Sequence, residues 1–228
     1  MATVKAPGKL DLYKVHAKEY AAKPAPSLVE IGPCQYLTIE GKGEPAGEIF
    51  VEKVGHLYAA AFGIKMPYKK ATGVDYAIGK LEGLWWCEAA GIMRDGTARA
   101  HNPSDDLLSV VQHTPRSQWQ WRMLIRTPDF ITQQHLAEAI EMQLKKGKAA
   151  GIREVALQTI EEGLCLQALH IGPYASEMST TIPAMYAYMA ANGLAHRGLH
   201  HEIYLGDPNR VAPDKLKTIL RQPVVRKG

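Results

Sequence analysis

The sequence predicts an α+β fold in which antiparallel strands form one layer and helices pack on its other side. The main observation is an arrangement that occurs twice: a strand runs into a glycine turn, a helix follows, and a later strand carries a glutamate among aromatic residues. The first copy comprises residues 36–41 and 81–86, and the second comprises 168–174 and 201–205. This duplication predicts two similar halves with a ligand cleft where they meet.

A second observation is that no low-complexity linker separates the two copies. We therefore expect a single domain over residues 1–228. Its parts are an N-terminal adaptor segment (1–33), two approximate halves (34–126 and 127–208) and a C-terminal tail (209–228).

Composition is the third observation, and it is that of a globular protein. Apolar residues make up 46% of the chain and charged residues 22%, and the net charge of +4 is dispersed. That charge is too small to predict binding to nucleic acid, and no apolar run is long enough to predict a membrane span. Three widely spaced cysteines without a CxxC pair, and an N-terminus without a signal peptide, predict a cytoplasmic protein with reduced thiols.

The first half reads as strand, helix, strand. A short helix within 12–20 ends before Pro24 and Pro26, and Pro33 precedes the first strand. Apolar residues three and four apart predict an amphipathic helix that follows a glycine turn. The expected bounds are 34–40 for the strand, 48–65 for the helix and 76–88 for the next strand.

A polar segment, 93–116, which we interpret as a loop or loose hairpin, precedes the last strand of the first half. Alternating apolar residues predict a strand over 119–126, and Gly147 marks the end of a helix over 132–146. The expected elements after it are a hairpin of 154–160 and 164–171 that turns at 161–163, a helix over 177–191, a strand over 200–205 and a short helix over 214–221.

Glu202 is the first candidate for chemistry. Residues alternate between faces along a strand, so His200, Glu202 and Tyr204 share one side. If the aliphatic side meets the helices, the carboxylate and the phenol face a common surface, where they can bind a cation or direct a water molecule. An ordinary solvated strand face is the alternative.

Glu82 occupies the equivalent place in the first copy, and Trp86 and Glu88 share its face. The adjacent tryptophans, Trp85 and Trp86, point to opposite sides, so one is expected in the core and the other is free to line a cleft. A carboxylate held against an indole would have a raised pKa, which suits acid/base chemistry near neutral pH. Core packing of both indoles is the alternative.

Two further candidates lie in or just before the helix predicted over 177–191. Tyr174 follows Gly172-Pro173 and either presents its phenol over a cleft or staples the helix. Met178 belongs to a methionine-rich helix that is either core or a compliant pocket wall. His200 and His201 point apart and cannot chelate one metal ion together, so we expect no metal site.

Several long segments resemble the stand-alone GyrI-like small-molecule-binding proteins, over essentially the whole length of the chain. These segments are KLDLYKVHAKEY (9–20), YLTIEGKGEP (36–45), LEGLWW (81–86), WQWRMLIRTPDF (119–130), EEGLCLQALHIGPY (161–174), HHEIYLGDP (200–208) and TILRQPV (218–224). The resemblance implies two βαββ (SHS2-like) modules related by a pseudo-two-fold axis, with a ligand cleft between them.

The resemblance also implies a function. Related domains sense drugs in transcription regulators, where a buried glutamate meets cationic aromatic compounds, and Glu202 lies in the matching strand. Some stand-alone members, similar in LEGLWW and HHEIYL, hydrolyse the strained cyclopropane of spirocyclopropyl DNA-alkylating antibiotics. Those relatives have a proline before LEGLWW, whereas this chain has Lys80.

The resulting hypothesis is a protein that binds and hydrolyses planar aromatic electrophiles and so protects the cell. The candidate catalytic residues are Glu202, Glu82 and Tyr174, and the candidate ligand-binding residues are Trp86, Tyr204, Glu88, Tyr76, His170 and Met178. We expect a small aromatic ligand, no cofactor, no nucleic acid and no membrane, and the oligomeric state stays open. The alternatives are a non-catalytic binder that sequesters cationic amphipathic aromatics and a gyrase-interacting protein.

Overall fold

A computed structural model describes residues 8–88, 91–96 and 113–227. Its strands are β1 (Ser27–Lys42), β2 (Leu81–Trp86), β3 (Gln120–Arg126), β4 (Ala156–Ile171), β5 (Leu194–His196), β6 (His200–Tyr204) and β7 (Lys217–Arg226). Its α-helices are α1 (Leu12–Val15), α2 (Glu48–Thr72), α3 (Gln133–Lys145) and α4 (Thr181–Ala191). The structure is therefore mixed α+β, as the sequence predicts.

The strands form one antiparallel sheet that closes on itself. The order is β4-β1-β3-β2-β6-β7-β5, and β4 also pairs with β7. Six strands thus form a ring, and β5 extends it beside β7. The closed sheet has an inner face and an outer face instead of the two open faces of the predicted layer.

Two groups of helices cover the outer face. The helices α2 and α3 pack on β1 and β3 through residues such as Leu57, Leu136, Leu37 and Ile125. Gly73 ends α2 in the left-handed conformation, at φ 76°, and its N–H donates to the Lys69 carbonyl. The helix α4 packs separately on β4 and β7; the buried residues of this second cluster include Ile182, Met185, Met189, Leu166 and Leu220.

The inner face combines an apolar cluster with a buried charge network. His201 lies 3.0 Å from Glu82 through its Nε2 atom and 3.0 Å from Glu162 through its Nδ1 atom. Arg221 donates to Glu162 at 2.9 Å, and the Tyr13 hydroxyl donates to Glu82 at 2.6 Å. Both carboxylates of this network, Glu82 and Glu162, therefore have cationic or hydrogen-bonding partners, as buried charges require.

Two predicted elements are wrong. The expected hairpin turn at 161–163 is part of the continuous strand β4, because Glu162 is buried against His201 and Arg221 and so does not mark a solvent-exposed turn. Gly163 takes φ 60° within this strand. The expected short helix over 214–221 is instead a 3-10 turn, Pro213–Lys215, followed by the start of β7, whose residues from Thr218 to Val224 are buried.

Other elements are confirmed with different bounds. The strand β1 starts at Ser27 and includes Pro33, which pairs with Glu161. The helix α2 continues through Pro67 to Thr72, and β2 begins only at Leu81. The helix expected over 177–191 is a 3-10 turn, Tyr174–Ser179, followed by α4. Most of the loop predicted over 93–116 lies outside the described residues.

Candidate functional site

A cavity of about 820 Å³ lies over the outer face of β2 and β6, between α2 and α4. The pairing of Gly83 with Glu202 and of Trp85 with His200 directs the side chains of Trp85, His200 and Glu202 to this face. Gly83 allows close packing of the neighbouring side chains, because a Cβ atom at this position would lie 2.7 Å from Met123 Cε and 3.3 Å from the Tyr204 hydroxyl oxygen. The cavity is large enough for a drug-sized ligand.

Glu202 lies in the cavity wall with 15% of its side chain exposed. Its Oε2 atom accepts a hydrogen bond from the Tyr204 hydroxyl at 2.8 Å. Burial raises the pKa of the Glu202 carboxyl to about 7, while the Tyr204 hydrogen bond and the charge of Arg116 act in the opposite direction. Glu202 can therefore exchange a proton near neutral pH.

Glu177 is a second buried carboxyl in the same cavity, in the 3-10 turn after Tyr174. Glu177 is only 4% exposed, and its Oε1 atom has no hydrogen-bond partner among the described residues. Burial and the nearby charge of Glu202 raise the pKa of Glu177 far above its usual range. Glu177 is thus neutral, and able to donate a proton, at a pH where Glu202 ionises.

His200 lies beside the acids, with its Nε2 atom 3.6 Å from Glu202 Oε1. Burial, aided by the charges of His201 and His196, lowers the pKa of His200 to about 4. A neutral imidazole cannot form a salt bridge with Glu202 at physiological pH. Its Nε2 atom is buried and has no hydrogen-bond partner in the described part of the chain.

Aromatic rings form much of the remaining wall. The rings of Tyr174 and Tyr204 meet edge to face with centroids 5.5 Å apart, next to the acids. Trp85 lies between Phe50, with centroids 6.5 Å apart and nearly parallel, and Trp119, also 6.5 Å away. Methionines of the α4 side complete the wall: Met178, Met185 and Met189. Flat faces and flexible thioethers suit a planar ligand.

Comparison with solved structures places the chain in a family. It matches an uncharacterized conserved protein from Listeria innocua with 34% identity and a TM-score of 0.79, covering 95% of this chain and 100% of that one. A Listeria innocua structure described as a hydrolase matches with 33% identity and a TM-score of 0.77, with the same coverage. The GyrI-like small molecule binding domain matches residues 131–225. This chain belongs to the GyrI-like family.

More distant structures share the fold of this GyrI-like protein. The EcmrR–DNA complex matches with a TM-score of 0.51 at 15% identity, covering 95% of this chain and 63% of that one. No curated protein matches the chain. Within the described residues, no helix combines the length and apolar character that crossing a membrane requires, and no group of three His, Cys, Asp or Glu side chains is placed to hold a metal ion.

Four of the candidate residues of this GyrI-like protein line the cavity: Glu202, Tyr174, Tyr204 and Met178. Glu82 and Trp86 do not, because the register of β2 turns their side chains to the inner face of the ring. There, Glu82 is fully buried beside His201, and Trp86 packs in the inner apolar cluster. The neighbouring indole, Trp85, lines the cavity instead.

Three further candidates lie away from the cavity lining. Tyr76 is buried in the core between α2 and the sheet and meets the Phe130 ring edge to face, at 5.9 Å. His170 is buried, and its Nδ1 atom forms a 2.8 Å hydrogen bond with the hydroxyl of Thr181, the first residue of α4. Glu88 follows β2 on an exposed surface.

Sequence reasoning missed Glu177, Trp119 and Arg116 as cavity residues of this GyrI-like protein. Glu177 was the detectable one, because it is an acid in an otherwise uncharged segment of small and apolar residues, 171–182. Such a lone acid among apolar neighbours is a signal of burial. Trp119 and Arg116 precede β3, and nothing in their local pattern distinguishes a cavity wall from the surface.

Proposed function

We propose that this protein binds a planar aromatic electrophile in the cavity and adds water to it, with Glu202 as the general base. The observation that carries the proposal is a pair of carboxyls in one cavity, the buried Glu177 and the partly buried Glu202, whose pKa values differ. Such a pair supplies a base and an acid at the same pH. The hydrolase description of a Listeria relative supports the same reaction type.

The binding step uses the aromatic wall. A flat ligand that packs against the rings of Trp85, Tyr174 and Tyr204 exchanges solvent contact for ring contacts, each worth about 0.5–1.5 kcal/mol beyond the buried area. The uncharged methionine side of the cavity accommodates the ligand's apolar substituents. This arrangement holds the electrophilic carbon over Glu202 and excludes bulk water.

The chemical step is hydrolysis of a strained ring, and the substrate class is the cyclopropanoid alkylating antibiotics. A water molecule transfers a proton to Glu202 as its oxygen bonds to the cyclopropane carbon. The breaking carbon–carbon bond releases its electron pair into the conjugated carbonyl of the ligand, which becomes a phenolate. Glu177 then donates its proton to that oxygen. The product carries a new hydroxyl group and no longer alkylates DNA. Glu202 and Glu177 then exchange a proton before the next cycle.

We also infer that the chain is built from two βαββ (SHS2-like) modules. Apart from the short strand β5 between α4 and β6, the element order β1-α2-β2-β3 is matched by β4-α4-β6-β7. The cavity between α2 and α4 would then lie at the seam of the two modules, where β2 pairs with β6.

The test is incubation with a spirocyclopropyl alkylator, followed by mass spectrometry for the water adduct. We expect turnover in the wild type and a loss of about 10²–10⁴-fold in Glu202→Gln, the usual contribution of a general base. Ligand binding, followed through tryptophan fluorescence, should persist in the variant. Glu138→Gln, on the exposed side of α3, is the matched control. Undiminished turnover in Glu202→Gln would contradict the assigned role.

A non-catalytic binder of cationic aromatic compounds is the second candidate. The ionised form of Glu202, which lies beside the Tyr174 and Tyr204 rings, favours a positively charged aromatic ligand. Stoichiometric binding of the alkylator without a water adduct would support this alternative over hydrolysis.

A further inference from the structure

The helix α2 carries a second apolar face that the fold does not cover. Val51, Phe62 and Met66 expose 60%, 50% and 59% of their surface, and Gly55 and Ala59 lie between them. These five residues follow steps of three and four and form one line along the helix. We call them the outer stripe.

Four of the five residues of the outer stripe are exposed and lie apart from the faces of α2 that the fold uses, whereas Ala59, at the centre of the stripe, is partly buried against the core. The buried face consists of residues such as Leu57, Ala61 and Ile64, and a third set, Phe50, Val54 and Tyr58, lines the cavity. A surface helix that packs on a core through one face usually carries polar residues on the opposite face. A contiguous exposed apolar line at that position is typical of an interaction surface.

The charges at the two ends of the stripe have opposite signs. Glu48 and Glu52 are exposed at its N-terminal end, and Lys69 and Lys70 are exposed at its C-terminal end. An antiparallel copy of the same helix therefore brings acids onto lysines at both ends. A two-fold axis makes every such contact occur twice.

The shape of the stripe fits the same arrangement. If the two-fold axis crosses α2 near Ala59, Val51 of one copy faces Met66 of the other, and Gly55 faces Phe62. A Cβ atom added at Gly55 would meet nothing within 4 Å, so the helix surface is open at this point. The exposed Phe62 ring of the other copy has the size to occupy that space.

We propose that two copies of this chain associate through α2, packed antiparallel along the outer stripe. This proposal is independent of the reaction in the cavity. Glu48 of each copy meets Lys70 of the other, and the Phe62 rings cover Gly55 on both sides. The partner is a second copy because the stripe is complementary, in both charge and shape, to itself.

The first test is sedimentation equilibrium of the full chain over a wide range of concentrations. We expect a wild-type dimer and at least a tenfold increase in the dissociation constant for Phe62→Glu, since the charge would be buried without a partner. Ile171→Glu is the matched control, because Ile171 is also 50% exposed but lies at the end of β4. A wild type that is monomeric throughout, or equal effects of both variants, would overturn the proposal.

The second test exploits the charge pattern. Glu48→Lys places like charges at both ends of its own dimer, and so does Lys70→Glu. Each variant alone should dissociate more readily than the wild type, whereas an equimolar mixture should form a heterodimer in which every contact is complementary. Circular dichroism establishes that both variants are folded. Failure of the mixture to associate more strongly than either variant contradicts the antiparallel arrangement.

Disulfide trapping tests the register. Ala59→Cys places two thiols across the axis and should yield a covalent dimer on oxidation. Phe62→Cys should not, because the two thiols would be separated by about 10 Å along the helices. The native cysteines Cys34, Cys87 and Cys165 are buried and give little background. Equal trapping of both variants would exclude this register.

Discussion

Glu202 and Glu177 show how the surroundings of identical functional groups separate their chemistry. Both are buried in the same wall, but Glu202 accepts a hydrogen bond from Tyr204, whereas Glu177 Oε1 has no such partner among the described residues. A hydrogen bond to the charged form favours ionisation, and burial opposes it. The negative charge of the pair therefore resides preferentially on Glu202, the carboxyl that Tyr204 orients.

The pH dependence of turnover tests this assignment. Because a base must be ionised, the rate should rise with pH through about 7, where burial has moved the pKa of Glu202, and not near the value of about 4.3 of an exposed glutamate. The charge of Arg116 lowers the pKa of Glu202, so Arg116→Ala should shift the inflection to higher pH. Stopped-flow measurement of kcat/KM across this range gives both results, and an inflection near pH 4 would contradict the role of Glu202.

The strand β6 illustrates how one element serves two environments. Its alternate residues His200, Glu202 and Tyr204 face the cavity, and His201 and Ile203 face the inside of the ring. Since the period of a strand is two, a shift of one residue would exchange these sets. The charge network around His201 therefore stabilises the register that presents Glu202 to the ligand.

Removal of His201 should be more costly than removal of its neighbour. His201→Phe leaves Glu82 and Glu162 buried without their shared cation, and breaking a buried ion pair in this way costs about 3–5 kcal/mol. His200→Phe, on the cavity face of the same strand, should cost far less because its Nε2 atom has no hydrogen-bond partner within the described residues. Urea unfolding of both variants measures the difference.

The same network predicts the sign of a pH effect on stability. Burial alone would lower the pKa of His201, but Glu162 and Glu82 raise it to about 9, above its value in the unfolded chain. The stabilisation is therefore complete below about pH 6.5 and is lost as the pH rises through about 9. The free energy of unfolding of the wild type should fall over this interval, and the fall should be smaller in His201→Phe. Similar pH profiles for the two proteins would contradict the network.

Elements with a strong local pattern are predictable from the sequence. The alternation of β3 and the cap of α3 at Thr132 are examples, and the side-by-side placement of Glu202 and Tyr204 follows from alternation alone. The buried face of β2 is different. Trp85 and Trp86 are equivalent in pattern, and only the pairing of β2 with β6 decides which indole lines the cavity.

At the scale of the whole molecule, local sequence patterns do not predict that the sheet closes into a ring. The pairing of β4 with both β1 and β7 joins residues far apart in sequence, such as Leu28 with Leu166. Closure also creates an interior in which Glu162 can be buried, so an acidic stretch that reads as a turn becomes part of a strand. The misassigned hairpin and the misassigned C-terminal helix both result from this non-local constraint.

The ring also predicts that the chain unfolds as one unit. Fragments 1–126 and 127–228, which contain the two approximate halves, share the β1–β4 and β2–β6 ladders, and the inner charges cross between them, as in the pair of Glu82 with His201. An isolated half would expose two unpaired strand edges and leave buried charges without partners. The single-domain organisation inferred from the sequence therefore remains a prediction with a direct test.

The test uses the uneven distribution of tryptophan. Trp85, Trp86, Trp119 and Trp121 all lie in the first half, so their fluorescence reports on that half, whereas far-ultraviolet circular dichroism reports on the whole chain. We expect the two urea transitions to coincide, as a two-state domain requires, and we expect fragments 1–126 and 127–228 to lack cooperative unfolding when expressed separately. Separate midpoints, or a cooperative transition in either fragment, would show instead that each half has its own stable core and that the ring is a contact between two independent units.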